Sequence, residues 1–147
     1  MNREQLTQEA IELLKKLIAT QSFSSEEEGT AAIIEAWFNA HDIPFKRQAN
    51  NIWATNKNFE EGKTTLLLNS HHDTVQPNNG YTRDPYSPDV EDGKLYGLGS
   101  NDAGGCLVSL IATFTYFYAQ ENPKYNLVIV ASGEEESSGP NGLNSML

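Results

Sequence analysis

Apolar residues recur at intervals of three and four along the first forty positions. Leu6, Ala10, Leu13, Leu14, Leu17 and Ile18 fall on one stripe and predict a helix over about 6–20. A second helix is predicted to follow, opened by Ser24 and Glu27 as a capping box and carrying Ile33, Ile34, Trp37 and Phe38 on its apolar face up to the Asp42, Ile43, Pro44 stop. The period then changes. Residues 44–49 and 51–56 predict two short strands joined by a tight turn, and 64–70 is a continuous apolar run, the pattern of a strand covered on both faces inside a sheet. The polar stretch 75–93 is too long for a plain connector and is expected to form the rim of a site, with Asp92 and Gly93 turning the chain into a strand over 94–97. Residues 103–120 predict the most apolar helix and 125–131 a second buried strand. This alternation predicts an α/β fold with a mostly parallel sheet flanked by helices. Residues 142–147 read as the opening of a further helix with nothing to finish it, so the chain is expected to be truncated.

Composition narrows the picture. The 147 residues are 38% hydrophobic, enough for one core, and neither an internal repeat nor a low-complexity linker divides them. Twenty acidic against ten basic residues give a net charge of −10 without a Lys/Arg cluster, which excludes a surface built for nucleic acid. The charged amphipathic start is not a signal peptide and no window has the apolar length of a membrane span, so a cytoplasmic protein is expected. Cys106, the single cysteine, lies in an apolar helical segment and is expected to be a buried structural thiol.

Candidate chemistry collects where three predicted elements end. After the first buried strand come His71, His72 and Asp73. If extended geometry persists, His71 and Asp73 share one face, making His71 the candidate metal ligand with Asp73 orienting it, while His72 packs or faces solvent. A single histidine at a strand end can equally be a hydrogen-bonded structural residue. Gly97 to Asp102 superficially matches a dinucleotide-binding glycine pattern, but an aspartate replaces the third glycine and would aim negative charge at a pyrophosphate. Asp102 is therefore either a cap for the following helix or a ligand. Glu134, Glu135 and Glu136 follow a buried strand directly; they are either a solvated charge run or carboxylates compensated by a cation. One imidazole with two or three carboxylates suits Zn²⁺, with Co²⁺ or Mn²⁺ as substitutes.

Together, SHHDTV (70–75), GLGSNDAGG (97–105) and SGEEESSG (132–139), in this order and about 30 residues apart, resemble the motifs of the co-catalytic zinc metallopeptidase family. The likeness extends to residues 81–88 and 92–97. That family includes acetylornithine deacetylase, succinyl-diaminopimelate desuccinylase, aminoacylase and glutamate-releasing carboxypeptidases. The resemblance implies a zinc-peptidase-like catalytic domain holding two divalent metal ions, with His71 on the first metal, Asp102 bridging both and Asp73 behind the histidine. It also implies an acidic pair of general base and second-metal ligand. With three glutamates the register is open: Glu135 as base with Glu136 as ligand is preferred, and Glu134 with Glu135 is the alternative. His72 and the Ala103, Gly104, Gly105 sequence depart from the usual family pattern.

The branch most similar in its motifs is acetylornithine deacetylase, which implies hydrolysis of a small N-acyl amino acid in arginine biosynthesis. A desuccinylase, a di- or tripeptidase and a non-catalytic metal-binding fragment are the alternatives. The resemblance further implies that residues 1–147 are the N-terminal part of the catalytic domain. Its C-terminal part, with another acidic ligand and another histidine, and the smaller dimerisation domain of a homodimer would then lie beyond residue 147. The isolated chain is accordingly expected to bind metal weakly and to hydrolyse little.

Overall fold

The computed structural model describes residues 2–146. Helix α1 (Arg3–Ile18) starts at Asn2, whose side chain accepts the Glu4 N–H, and it buries the whole predicted stripe from Leu6 to Ile18. Helix α2 (Glu28–Ala40) buries Ile34, Trp37 and Phe38. The expected capping box does not form. Glu27 stands at the N-cap, but no side chain caps the helix: the Ser24 hydroxyl donates to Asp73, and the Glu27 carboxylate accepts from Ser25 N, Glu134 N and Asn50 Nδ2. Both residues are drawn away from their own helix by partners distant in sequence.

The strands are β1 (Lys46–Gln48), β2 (Asn51–Thr55), β3 (Thr65–His71), β4 (Val90–Glu91), β5 (Lys94–Leu95) and β6 (Asn126–Ser132), with helix α3 (Gly105–Phe117) between the last two. The Asp92 and Gly93 turn joins β4 to β5 with φ of 51° and 74°, the left-handed pair that a two-residue hairpin requires. The main sheet has the order β1-β2-β6-β3; β1–β2 and β2–β6 are antiparallel and β3–β6 parallel. The α/β class stands, but the sheet is mixed, not mostly parallel, because the early hairpin supplies two of its four strands.

Three expectations need correction. Among the described residues β3 pairs with β6 alone and lies at the edge of the sheet, with Leu66 and Leu67 51% and 45% exposed. Cys106 is exposed. It lies off the face of α3 formed by Leu107, Val108, Ile111, Phe114 and Thr115, which packs into the core. Residues 143–145 make a single 3₁₀ turn, and Leu147 of the expected further helix lies outside the described residues.

The core joins α1 to α2 and α3 and sets α2 and α3 against the sheet. Phe38 meets Phe114 edge-on at 6.4 Å between ring centroids, and Trp37 Nε1 donates to Thr115 Oγ1 at 3.0 Å. No helix among the described residues is long and apolar enough to cross a membrane. Removing the fully buried Phe38 ring by Phe38→Ala is expected to cost about 3–5 kcal/mol in urea denaturation. Leu66→Ala on the exposed edge should change stability by about 0.5 kcal/mol or less, and equal losses would contradict this packing.

Candidate metal centre

Parallel pairing of β3 with β6 places His71 opposite Ser132, so the segments after both strands leave the sheet side by side. The third segment arrives from the irregular turn Ser100–Gly104 ahead of α3, in which Asp102 and Ala103 depart from helical backbone angles. Neither this turn nor α3 has a side-chain cap, and the exposed Asp102 carboxylate instead meets the imidazole of His71.

His71 Nε2 lies 3.1 Å from Asp102 Oδ1 and 3.7 Å from Glu135 Oε2, while Nδ1 lies 3.0 Å from the Asp73 carbonyl oxygen and 3.4 Å from Asp73 Oδ1. Donation from Nδ1 to Asp73 would leave the Nε2 lone pair facing the two carboxylates. His72 points the other way: Nδ1 is 2.8 Å from Thr30 Oγ1 and Nε2 is 2.9 Å from the Asn50 carbonyl oxygen. Burial holds its pKa below the ordinary value, so His72 is a neutral packed residue.

The three glutamates occupy three different environments. Glu134 is buried at φ 55°; its carboxylate accepts from Asn141 N and Nδ2, both at 3.0 Å, and its N–H donates to Glu27 Oε1 at 2.9 Å. The Asn141 hydrogen bonds hold Glu134 below the usual carboxylate range. A Cβ on residue 139 would sit 2.0 Å from Glu134 Oε2, so this approach requires Gly139. Glu135 N and Glu136 N donate to Asp73 Oδ1 and Oδ2 at 3.1 and 3.0 Å, and the Ser24 hydroxyl donates to Asp73 Oδ2 at 2.7 Å. Ser24, Glu27 and Asn141 are parts of this site that sequence reasoning missed. The capping-box pattern flagged the first two for the wrong partners, and no local pattern marked Asn141.

Donor atoms of His71, Asp102 and Glu136 all lie within 4.8 Å of one another. Donors at 2.0–2.2 Å placed tetrahedrally about one Zn²⁺ are about 3.3–3.6 Å apart. Shifts of no more than about 1.5 Å therefore close the set, and a nitrogen with two carboxylate oxygens is a donor set that Zn²⁺ accepts. Asp102 and Glu136 are both exposed, so the group opens to solvent.

Electrostatics follow from these contacts. The Asp73 hydrogen bond, opposed by burial and aided by Asp102, pushes His71 up to about 9. Burial tends to raise Asp73, but hydrogen bonds from His71, Ser24 and the N–H groups of Glu136 and Glu135 outweigh it and hold the carboxyl well below its usual range. Glu136 is pushed up by burial and by the like charge of Asp102. Part of the predicted rim lines a cavity of about 430 Å³ with Tyr81, Arg83, Tyr96 and Ser100, the last of these two residues before Asp102.

Comparison with known proteins adds four findings. The sequence model of peptidase family M20/M25/M40 matches residues 67–147. The chain is 33% identical over 145 residues to succinyl-diaminopimelate desuccinylase of Wigglesworthia glossinidia brevipalpis, covering 93% of this chain and 37% of that protein. It is 33% identical over 142 residues to acetylornithine deacetylase of Shigella sonnei (strain Ss046), covering 87% of this chain and 36% of that protein. The chain thus spans a little over a third of the length of these curated relatives. Among solved structures it resembles the Bacillus subtilis YXEP protein, described as a dinuclear metal binding peptidase from the M20 family, with a TM-score of 0.69. That match covers 97% of this chain and 39% of that one at 16% identity, which shows likeness of fold alone.

The raised pKa has a consequence for the metal-free chain. An imidazole moved from 6.5 to about 9 on folding contributes stability that is fully present below about pH 6.5 and is lost as pH rises through about 9. The urea midpoint should fall across that window, and His71→Asn should flatten the fall. A wild-type midpoint that stays level there would contradict the His71–Asp73 geometry.

Proposed function

The chain belongs to peptidase family M20/M25/M40, and from that premise we propose that residues 1–147 form the N-terminal part of the catalytic domain of a metal-dependent amide hydrolase. Its proposed reaction removes the acyl group from an N-acyl amino acid, with N-acetylornithine, in arginine biosynthesis, as the favoured substrate. The observation that carries this reading is the convergence of His71, Asp102 and Glu136 beside Glu135. Equal identity to a desuccinylase and a deacetylase supports acyl removal, and it makes the succinylated substrate the second reading. In this proposal the rest of the catalytic domain and the dimerisation domain of a cytoplasmic homodimer belong to the remaining length that the relatives have and this chain does not cover.

His71 Nε2 and the carboxylates of Asp102 and Glu136 would hold the divalent metal pair; Zn²⁺ is favoured and Co²⁺ or Mn²⁺ are substitutes. When bound, such a pair lowers the pKa of water and polarises the amide carbonyl. The Asp73 carbonyl and carboxylate stand at Nδ1 of His71, where an N–H would donate to them and leave Nε2 to a metal in place of its proton. Glu135, anchored through its N–H to Asp73 and exposed at its side chain, takes the proton of the attacking water and returns it to the departing amine nitrogen. Glu134, engaged by Asn141 and turned away, has a structural role, which favours the register with Glu135 as base and Glu136 as ligand.

In the full-length protein, Glu135→Gln should lower kcat by about 10²- to 10⁴-fold with bound metal unchanged, whereas Glu136→Gln should lose metal. Turnover of acetylated, succinylated and dipeptide substrates is measured in parallel. Full activity in Glu135→Gln would remove Glu135 as the base, no turnover of any of these substrates by the metal-loaded wild-type protein would leave a metal-binding module, and metal loss in Glu135→Gln with retention in Glu136→Gln would shift the register to Glu134 as base and Glu135 as ligand.

A further inference from the structure

Glu27 lies outside all three motifs. It is nevertheless fully buried, at 0% exposure, in the segment that leads into α2. A carboxylate gives up much of its hydration when buried and needs donors in return. Glu27 has three: Ser25 N at 2.8 Å and Glu134 N at 2.9 Å on Oε1, and Asn50 Nδ2 at 2.8 Å on Oε2. Only the first is local. The second reaches the residue immediately before Glu135 and Glu136, and the third reaches the β1–β2 turn.

The environment is closed on every side. A Cβ on residue 133 would sit 3.3 Å from Glu27 Cδ and Oε1, so the chain leaving β6 lies against this carboxylate. The Glu27 carbonyl accepts from Thr30 Oγ1, which contacts His72 Nδ1, and His72 Nε2 returns to the Asn50 carbonyl. Three consecutive N–H groups, of Glu134, Glu135 and Glu136, are thus captured by two carboxylates, Glu27 taking the first and Asp73 the other two. Side-chain direction follows backbone direction, and Glu134 turns at positive φ between these two holds.

We infer that Glu27 is a positioning residue: by fixing the Glu134 N–H it aims the Glu135 and Glu136 carboxylates at the place faced by His71 Nε2. It touches neither metal nor substrate. The inference rests on the proposed metal centre and extends it to a residue that forms no part of the ligand set.

The test uses the 147-residue chain and Co²⁺ alone, with the dissociation constant and visible absorption of the bound ion as one readout and amide hydrogen exchange at 134–136 as the other. Glu27→Gln sets a donor against the Asn50 donor and should raise the Co²⁺ dissociation constant at least tenfold, alter the cobalt spectrum and speed exchange at 134–136. Glu27→Gln with Asn50→Asp restores a donor facing an acceptor at unchanged net charge and should return both readouts to near wild type. Ile34→Val, a core change compared at equal loss of denaturation midpoint, should leave both unchanged. If Glu27→Gln does not fold, Asn50→Ala, which removes one of the three donors, carries the test with an expected threefold weakening.

Co²⁺ binding that Glu136→Gln abolishes but a folded Glu27→Gln leaves at wild-type strength overturns the inference alone. So does equal weakening by Ile34→Val, or an Asn50→Ala chain that binds as wild type when Glu27→Gln is unfolded. A wild-type chain that binds no Co²⁺ overturns it together with the metal-centre reading.

Discussion

The site depends on one carboxylate. Asp73 accepts from the N–H groups of Glu135 and Glu136 and from the Ser24 hydroxyl while lying beside His71. Hydrogen bonds to an ionised acceptor are shorter and stronger than neutral ones, so this fan of donors stiffens the crossing of the segments that follow β3 and β6. The parallel register of those strands makes the crossing possible. With His71 level with Ser132, the two segments emerge at the same height, and a slip of one residue would turn His71 to the opposite face.

Charge repulsion by itself does not require a cation at this place. Two carboxylates with oxygens within 4.8 Å of one another repel, at that outer separation, by about 1 kcal/mol in water and about 3.5 kcal/mol at an effective dielectric constant of 20. Asp102 and Glu136 are exposed, which favours the lower figure. The case for a metal rests instead on donor type and direction: an imidazole nitrogen made available by its neighbour's carbonyl, and two carboxylates brought toward it from separate segments. A solvated charge run has no reason to share space with a buried histidine. Nor would it have its first member, Glu134, diverted to Asn141 and its backbone seized by two buried acids.

Features whose cause is local were legible in the sequence. The stripe from Leu6 to Ile18 is buried as its spacing indicates, and Asp92 with Gly93 makes the hairpin turn that their conformational freedom allows. His72 packs on the face opposite His71, as alternation along an extended segment requires. Features decided by distant partners were not legible. A run of leucines marks a strand without telling how many neighbours it has, so the edge position of β3 was missed. An apolar helix does not reveal which side meets the core, so the expectation of a buried Cys106 thiol fails. Ser24 and Glu27 have the residue types and spacing of a helix cap, but their partners lie 49 and 107 residues away. The same limit left three adjacent glutamates indistinguishable in the sequence, whereas in the fold Asn141 engages the first and Asp73 fixes the next two.

The most direct measurement of the central claim is a crystal structure of the chain grown with Zn²⁺, with anomalous scattering recorded on both sides of the zinc absorption edge. The account predicts a zinc peak about 2.0–2.2 Å from His71 Nε2 and from carboxylate oxygens of Asp102 and Glu136, with Glu134 still bound to Asn141 and Glu135 uncoordinated. A peak ligated through Glu134, or zinc held elsewhere with these three side chains apart, would contradict it.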